Sequence, residues 1–320
     1  MKRIVLGTAV TLVFLLLLAR QVDYAKALES LRAADYVLLL AAIPCYFLGV
    51  WFRTLRWQQL LSAVARLAAP GLFVQVVIGY MANDVLPLRV GELVRAYLLG
   101  RKHRLPKVAV LGTIAIERLT DGLILLAFAG GVALFMPLEG WMETVIRIMA
   151  VLFVGGGAAA LGVLIFKDRL FGSAASLPAR VLESFLEGTD ALRRPRPILL
   201  AGLHGALAWL CEAGVFYVVA LAMGVTVPFS VLLLAMALAN LATALPSSQA
   251  GIGPFEYFAA QTLILFGIDP TVSATYALLV HVILILPVTL LGFFFLWKEE
   301  LSLGQITRAA TQPSVLSPQP

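Results

Sequence analysis

The sequence predicts an all-α polytopic membrane protein, and three observations carry that prediction. Of 320 residues, 61% are hydrophobic and 13% charged, against roughly 45–50% and 25% in soluble domains, which excludes a soluble globular protein. Runs such as 4–19 and 36–52 are apolar on every face, as spanning helices require, whereas a membrane barrel alternates polar with apolar residues. The 24 Lys and Arg residues are spread unevenly between the loops, as they are when helices thread a bilayer. The formal net charge of +6 is therefore read as topology and lipid contact, and no nucleic-acid partner is expected.

A span needs about 20 apolar residues, and six stretches qualify: 4–19, 36–52, 108–136, 145–166, 198–222 and 271–297. Lys2 and Arg3 precede the first, and Ala25-Lys26-Ala27 mimics a signal-peptide cleavage site. The apolar stretch is long for a signal and the rest of the chain is also membrane protein, so a retained first span is expected. With the N-terminus inside, the inner loops collect 19 of the 24 basic residues; Arg20, Lys26, Arg32 and Arg147 fall outside and Arg118 lies within a span. This asymmetry predicts that both termini are cytoplasmic.

The same distribution threads the two remaining apolar regions, both interrupted by Pro, Gly and polar residues. Region 71–100 has basic residues on either side and should enter and leave from the cytoplasm, whereas 229–267 is flanked by nearly charge-free outer loops and should enter and leave from outside. Each is predicted to be a re-entrant or broken-helix hairpin, the two oppositely oriented. Their motifs correspond: Asn83, Pro87, Gly91 and Glu92 against Asn240, Pro246, Gly253 and Glu256. The expectation is a single transmembrane domain over 1–300, with inverted halves at about 1–136 and 145–297, followed by a polar, disordered cytoplasmic tail at 301–320. Inverted repeats with broken helices in matching positions point to a transporter with its site near the midplane, between the hairpins.

Broken backbone cannot face lipid, so both hairpins must line a cavity or be buried in protein. In the first, a helix starting near Val90 offers its N-terminal amides to an anion, with Arg89 and Arg95 beside it. In the second, Gly253 suits a cap and Pro254 a first helical position, while Gly251 lies in the preceding turn. Glu92 and Glu256 are either helix-start stabilisers or site residues. Glu117, Arg118 and Asp121 share one flank of a helix, and charges at such depth face the bundle interior. They form either a self-neutralising structural group or a site in which Arg118 meets phosphate and a carboxylate carries a proton. Glu212, with no cation three or four residues away, is a further candidate for the charge network. His204 and His281 read as buried, hydrogen-bonded side chains. Arg53 and Arg56, beside Trp51 and Trp57, read by default as an interfacial anchor, with phosphate binding as the minority reading.

Three scattered histidines and two isolated cysteines give no metal spacing. No phosphate loop, H-E-x-x-H or G-x-S-x-G motif is present, so neither a cofactor nor the corresponding hydrolase chemistry is expected.

At "GYMANDVLPLRVGELVR", "IERLTD" and "LPSSQAGIGPFE" the chain resembles the lysylphosphatidylglycerol synthase transmembrane-region family, also called flippase-like membrane proteins. The resemblance runs from the first span to residue 297. By position it singles out Asn83, Pro87, Arg89, Gly91, Glu92, Arg95, Glu117, Arg118, Asp121, Gly251, Gly253 and Glu256. The late motif departs from the family's Pro-Gly-Gly-x-Gly at Ser247, Ser248 and Gln249. Because no soluble aminoacyltransferase domain follows, the resemblance implies the lipid-translocating half alone.

The leading expectation is a flippase or scramblase-like transporter, not an enzyme. It would move an anionic or zwitterionic lipid between leaflets, its phosphate-containing headgroup bound by Asn83, Arg89, Glu92, Arg95, Arg118, Gly251, Gly253 and Glu256. Glu117, Asp121 and Glu212 would supply proton coupling or a charge network. The alternative is an intramembrane enzyme acting on a lipid-linked substrate, or an accessory subunit presenting lipid to a separately encoded lipid-modifying enzyme. The expected location is a bacterial cytoplasmic membrane.

Overall fold

The computed structural model describes residues 2–86, 90–136, 138, 140–171, 177–245 and 249–311. Pro87, Arg89, Pro246, Ser247 and Ser248, singled out above, lie outside these residues. The described residues form thirteen α-helices and no strand: α1 (Lys2–Ala19), α2 (Tyr24–Ala33), α3 (Tyr36–Leu61), α4 (Ala69–Val85), α5 (Gly91–His103), α6 (Lys107–Ala133), α7 (Gly140–Phe171), α8 (Leu177–Gly188), α9 (Pro195–Ala222), α10 (Phe229–Ala242), α11 (Pro254–Leu265), α12 (Pro270–Lys298) and α13 (Leu303–Thr311). The chain is thus an all-α polytopic membrane protein. α3, α7, α9 and α12 are long and apolar enough to cross a membrane, and α1 with α2 makes a fifth candidate bent by 86°. α6 has 27 residues, also sufficient in length, but carries Glu117, Arg118 and Asp121.

The helices pack into two compact units, each gathering segments from distant parts of the chain. α3, α6, α7, α9 and α12 contribute a segment to each.

The first unit comprises residues 1–49, 125–149 and 207–288. Its centre is the α10–α11 hairpin, whose α10 is buried along most of its length. A 3-10 turn at Gln249–Gly251 precedes α11, and Ala250, Gly251 and Gly253 all have positive φ (57°, 83° and 98°). α11 begins at Pro254 with Gly253 as its N-cap, as its sequence suggests, because proline's missing N–H is no loss there. α1 lies against this turn: the Thr11 hydroxyl donates to the Ile252 carbonyl at 2.9 Å, and Phe14 packs against Tyr257 and Phe258. A Cβ on Gly253 would come within 2.9 Å of the Thr11 carbonyl oxygen, so both φ and space select glycine. Asp23 caps α2 by accepting from the amides of Ala25 and Lys26.

The second unit comprises residues 50–124, 150–206 and 289–320. Its hairpin is α4–α5. α5 has Glu92 in its first turn and Arg101, Lys102 and His103 in its last, so its ionised ends match the helix dipole. Gly79 and Gly91 allow the two helices to touch through backbone: a Cβ on Gly91 would lie 2.0 Å from the Gly79 carbonyl oxygen. Ile78, Met81 and Ala82 of α4 form a core with Val94 and Leu98 of α5, Leu296 of α12 and Ile306 of α13.

Candidate functional site

The polar residues within the apolar helices assemble as two groups, one in each unit. The group in the second unit is built on α3, α5 and α6. Glu117 is 1% exposed and is paired with three guanidinium groups. Arg95 donates to it in bidentate fashion, Nη1 to Oε1 at 3.0 Å and Nη2 to Oε2 at 2.9 Å. Arg118 Nη2 reaches Oε1 at 2.7 Å, and Arg56 Nη2 lies 3.3 Å from the same oxygen. Asp121 takes up the other side of Arg56, pairing with its Nη1 and, at 3.2 Å, its Nη2. It also lies 3.2 Å from Arg118 Nη2. Stacking of the Arg95 guanidinium on Trp57, 4.0 Å from the ring centroid, orients its fork. The indole N–H of Trp57 in turn donates to the Thr113 hydroxyl at 3.0 Å.

Three guanidinium charges thus face two carboxylates. Arg53 also acts electrostatically on Asp121, and Glu92 on Arg118. Arg53 and Glu92 bring one charge of each sign, leaving an excess of one positive charge among the described residues. Arg56 and Arg95 are buried, whereas the Arg118 side chain is 43% exposed. Arg118 is therefore an accessible cation at the edge of the enclosed network. Such a network suits an anion, because guanidinium donors match the geometry of phosphate oxygens.

The start of α5 is arranged differently from its sequence reading. The Gly91 amide is already used, donating to Asn83 Oδ1 at 2.7 Å, and Asn83 Nδ2 points to Glu92 Oε1 at 3.4 Å. Asn83 thus satisfies one of the helix's unpaired N-terminal donors. Asp84 accepts from the Thr289 hydroxyl at 2.9 Å.

In the first unit, Glu256 is buried and bound twice. Its Oε2 accepts from the Gly253 amide at 2.7 Å, the N3-to-N-cap half of a capping box. Its Oε1 lies 2.5 Å from His281 Nδ1, and the imidazole stacks on Phe255 at a centroid distance of 4.1 Å. Glu212 Oε1 accepts from Asn240 Nδ2 at 2.7 Å, so its partner comes from α10 rather than from its own helix. Gly251 and Gly253 shape the turn that leads into Glu256.

Of the sequence-derived candidates, Arg95, Glu117, Arg118 and Asp121 form one network, with Asn83 and Glu92 at the start of α5. Glu212, Gly251, Gly253 and Glu256 belong to the other unit, and Arg89 lies outside the described residues. The interfacial-anchor reading of Arg56 and Trp57 is corrected: both are fully buried, in the network and beneath Arg95. Arg56 has no local signal, since Asp121 lies 65 residues away in sequence. The link from His281 to Glu256 is likewise invisible along the chain. His204 stacks on Phe52. No group of three or more His, Cys, Asp or Glu able to hold a metal occurs among the described residues.

A family model described as "Lysylphosphatidylglycerol synthase TM region" matches residues 4–292. Among similar proteins, "Glycosyltransferase AglD" of Haloferax volcanii is 26% identical over 88% of this chain and 52% of its own length. The chain therefore spans about half of that relative. Two proteins of Methanothermobacter thermautotrophicus, each described as "UPF0104 membrane protein", are 25% identical over 77% and 90% of this chain and 80% and 91% of their own lengths. The expectation that the chain is no enzyme is corrected by the first of these, whose name is that of a glycosyltransferase.

Proposed function

Because the chain belongs to the lysylphosphatidylglycerol synthase transmembrane-region family, we propose that it holds a phosphate-bearing, lipid-linked substrate within the membrane, in an enzyme-related role. One observation carries this reading: the arginine network of the second unit has one positive charge in excess, and its exposed member is Arg118. The similarity to a glycosyltransferase supports group transfer to or from such a lipid as the setting. The basic-residue asymmetry supports both termini on the cytoplasmic side. Movement of the same lipid between leaflets, as a step supplying that chemistry, is a second reading, favoured by the two helical hairpins with their corresponding Asn, Gly and Glu residues.

The test is lipid mass spectrometry of the purified full chain, with turnover of a polyprenyl-phosphate-linked sugar followed in membranes that contain or lack it. Enrichment of a phosphate-bearing lipid over the bulk membrane is expected, together with its loss in Arg118→Gln and slower turnover in membranes without the chain. Retention of lipid in bulk proportions, unchanged by Arg118→Gln, would refute the reading.

A further inference from the structure

In the first unit the geometry points to Glu256 and His281 as a proton-binding pair, in which Nε2 of the imidazole takes up and releases one proton while Glu256 holds Nδ1. The two residues are 3% and 5% exposed. His281 lies eleven residues into α12, about 17 Å along the helix and so near the middle of a core about 30 Å thick. Ionisable groups at such depth are costly and mark ion pathways and proton relays. Each oxygen of Glu256 has a partner, the Gly253 amide at 2.7 Å and His281 Nδ1 at 2.5 Å. Neither residue pairs with a lysine or arginine among the described residues. The charge of the pair is therefore decided by protons alone.

Taken as a carboxylate, Glu256 receives its bond from Nδ1–H, which leaves Nε2 with a lone pair. The pair then carries one negative charge, which only the start of α11 offsets, a costly state in an apolar interior. A proton at Nε2 converts it to an imidazolium–carboxylate pair of zero net charge and disturbs neither bond of Glu256. The stack on Phe255, with ring centroids 4.1 Å apart and planes inclined by 24°, favours the same cation, because an aromatic face attracts positive charge. Packing alone does not call for imidazole, since glutamine also offers a donor to Glu256. What histidine adds is Nε2, which makes no hydrogen bond among the described residues.

The neighbouring titratable groups are otherwise engaged. α10, packed along α11, contains none, and α1, which meets the turn through Thr11 and Phe14, has charges only at Lys2 and Arg3. Tyr257 of α11 packs on Phe14. From α9, Phe216 packs on Phe255, and its carbonyl accepts from the Tyr276 hydroxyl of α12 at 2.7 Å. Glu212, one turn before Phe216, accepts from Asn240. Trp141 of α7 reaches Phe258, and the charges beside it, Glu143 and Arg147, pair with each other.

The experiment is nitrogen-15 NMR of the full, histidine-labelled chain in phosphatidylcholine nanodiscs, from about pH 9 to about pH 5, which brackets the range of an imidazole. The chain has three histidines. His281→Gln identifies the signals of interest, and His103→Gln with His204→Gln identifies them by elimination where that variant does not assemble. In wild type, Nε2 of His281 should pass from bare to protonated as the pH falls, while Nδ1 keeps its hydrogen throughout. Glu256→Gln should cut the protonated share at a given pH roughly tenfold, the value of one hydrogen bond between charged partners. An Nε2 that keeps one state across the range, or a titration that Glu256→Gln leaves unchanged, overturns the inference. So does a titration abolished by sodium and not by choline, which marks a metal-cation site. Lipid retention at Arg118 is read separately, so each of these outcomes leaves the proposed function standing.

Discussion

Replacing Glu117 by glutamine isolates the charge of the network's central acceptor with almost no change in volume. In the wild type this carboxylate takes two bonds from Arg95, one from Arg118 at 2.7 Å and a contact from Arg56 at 3.3 Å, at 1% exposure. Glutamine keeps one carbonyl oxygen but turns an NH2 toward guanidinium donors, so at least one of the two Arg95 bonds becomes donor against donor. Three guanidiniums are then left with Asp121 alone. Removing one partner of a buried ion pair costs about 3–5 kcal/mol, and convergence of three cations on one carboxylate places Glu117→Gln at the upper end. At about 2–4 °C per kcal/mol for chains of this order, the thermal midpoint should fall by roughly 10 °C or more. Arg118→Gln, at the exposed rim, should cost about 1 kcal/mol or less by the measure of solvent-exposed ion pairs. The assay is thermal unfolding of both variants in the same nanodiscs, followed by intrinsic tryptophan fluorescence, with Trp57 beneath Arg95 as an internal reporter. A midpoint for Glu117→Gln within 2 °C of wild type would refute the ion-pair account of this site.

Two further outcomes follow from close contacts in the hairpins. Gly91→Ala should lose about 3 kcal/mol or more, because the new Cβ meets the Gly79 carbonyl and the Asn83 amide group at 2.0 and 2.6 Å, beyond what side-chain repacking absorbs; Gly155→Ala on α7, with nothing within 4 Å, should instead gain about 0.5–1 kcal/mol from helix propensity. Comparable effects of the two in an unfolding titration would show that α4 and α5 do not touch through backbone. Glu256→Ala should remove the acceptor of the Gly253 amide and the imidazole contact, costing about 1–3 kcal/mol and accelerating deuterium uptake at the Gly253 amide and the first turn of α11. Unaltered uptake there would contradict the bond from the Gly253 amide to Glu256.

What could be read along the chain is what repeats within a helical turn or marks a helix end. Glu117, Arg118 and Asp121 fall on one flank by spacing alone, and Pro254 after Gly253 identifies the start of α11 because proline lacks the donor that a helix start cannot use. The boundaries of both hairpins follow from where apolar runs meet Pro, Gly and Asn. Arg56 was illegible for the opposite reason: its partners are supplied by α6, and its neighbours Trp51, Arg53 and Trp57 resemble a membrane-surface girdle. His281 is similar, an isolated imidazole in an apolar helix whose meaning depends on Glu256 in α11. Asn83 shows a subtler limit. Its side chain takes the Gly91 amide, so the start of α5 is capped from α4, a pairing that only the folded hairpin creates.

The clasp between Thr11 and the turn at Ile252 has a consequence for how the protein is made. The two residues are 241 positions apart, and chains grow at about 5–20 residues per second, so α1 leaves the ribosome roughly 10–50 seconds before the turn that it fastens exists. During that interval the Thr11 hydroxyl can turn back to a carbonyl of its own helix, as threonines in membrane helices do, which keeps the nascent segment free of an exposed polar group. The same residue then serves two successive partners, and the N-terminal helix waits in the bilayer until that turn has been made. Substitutions at Thr11 or Phe14 are accordingly expected to be felt most during biogenesis, as a shortage of assembled protein.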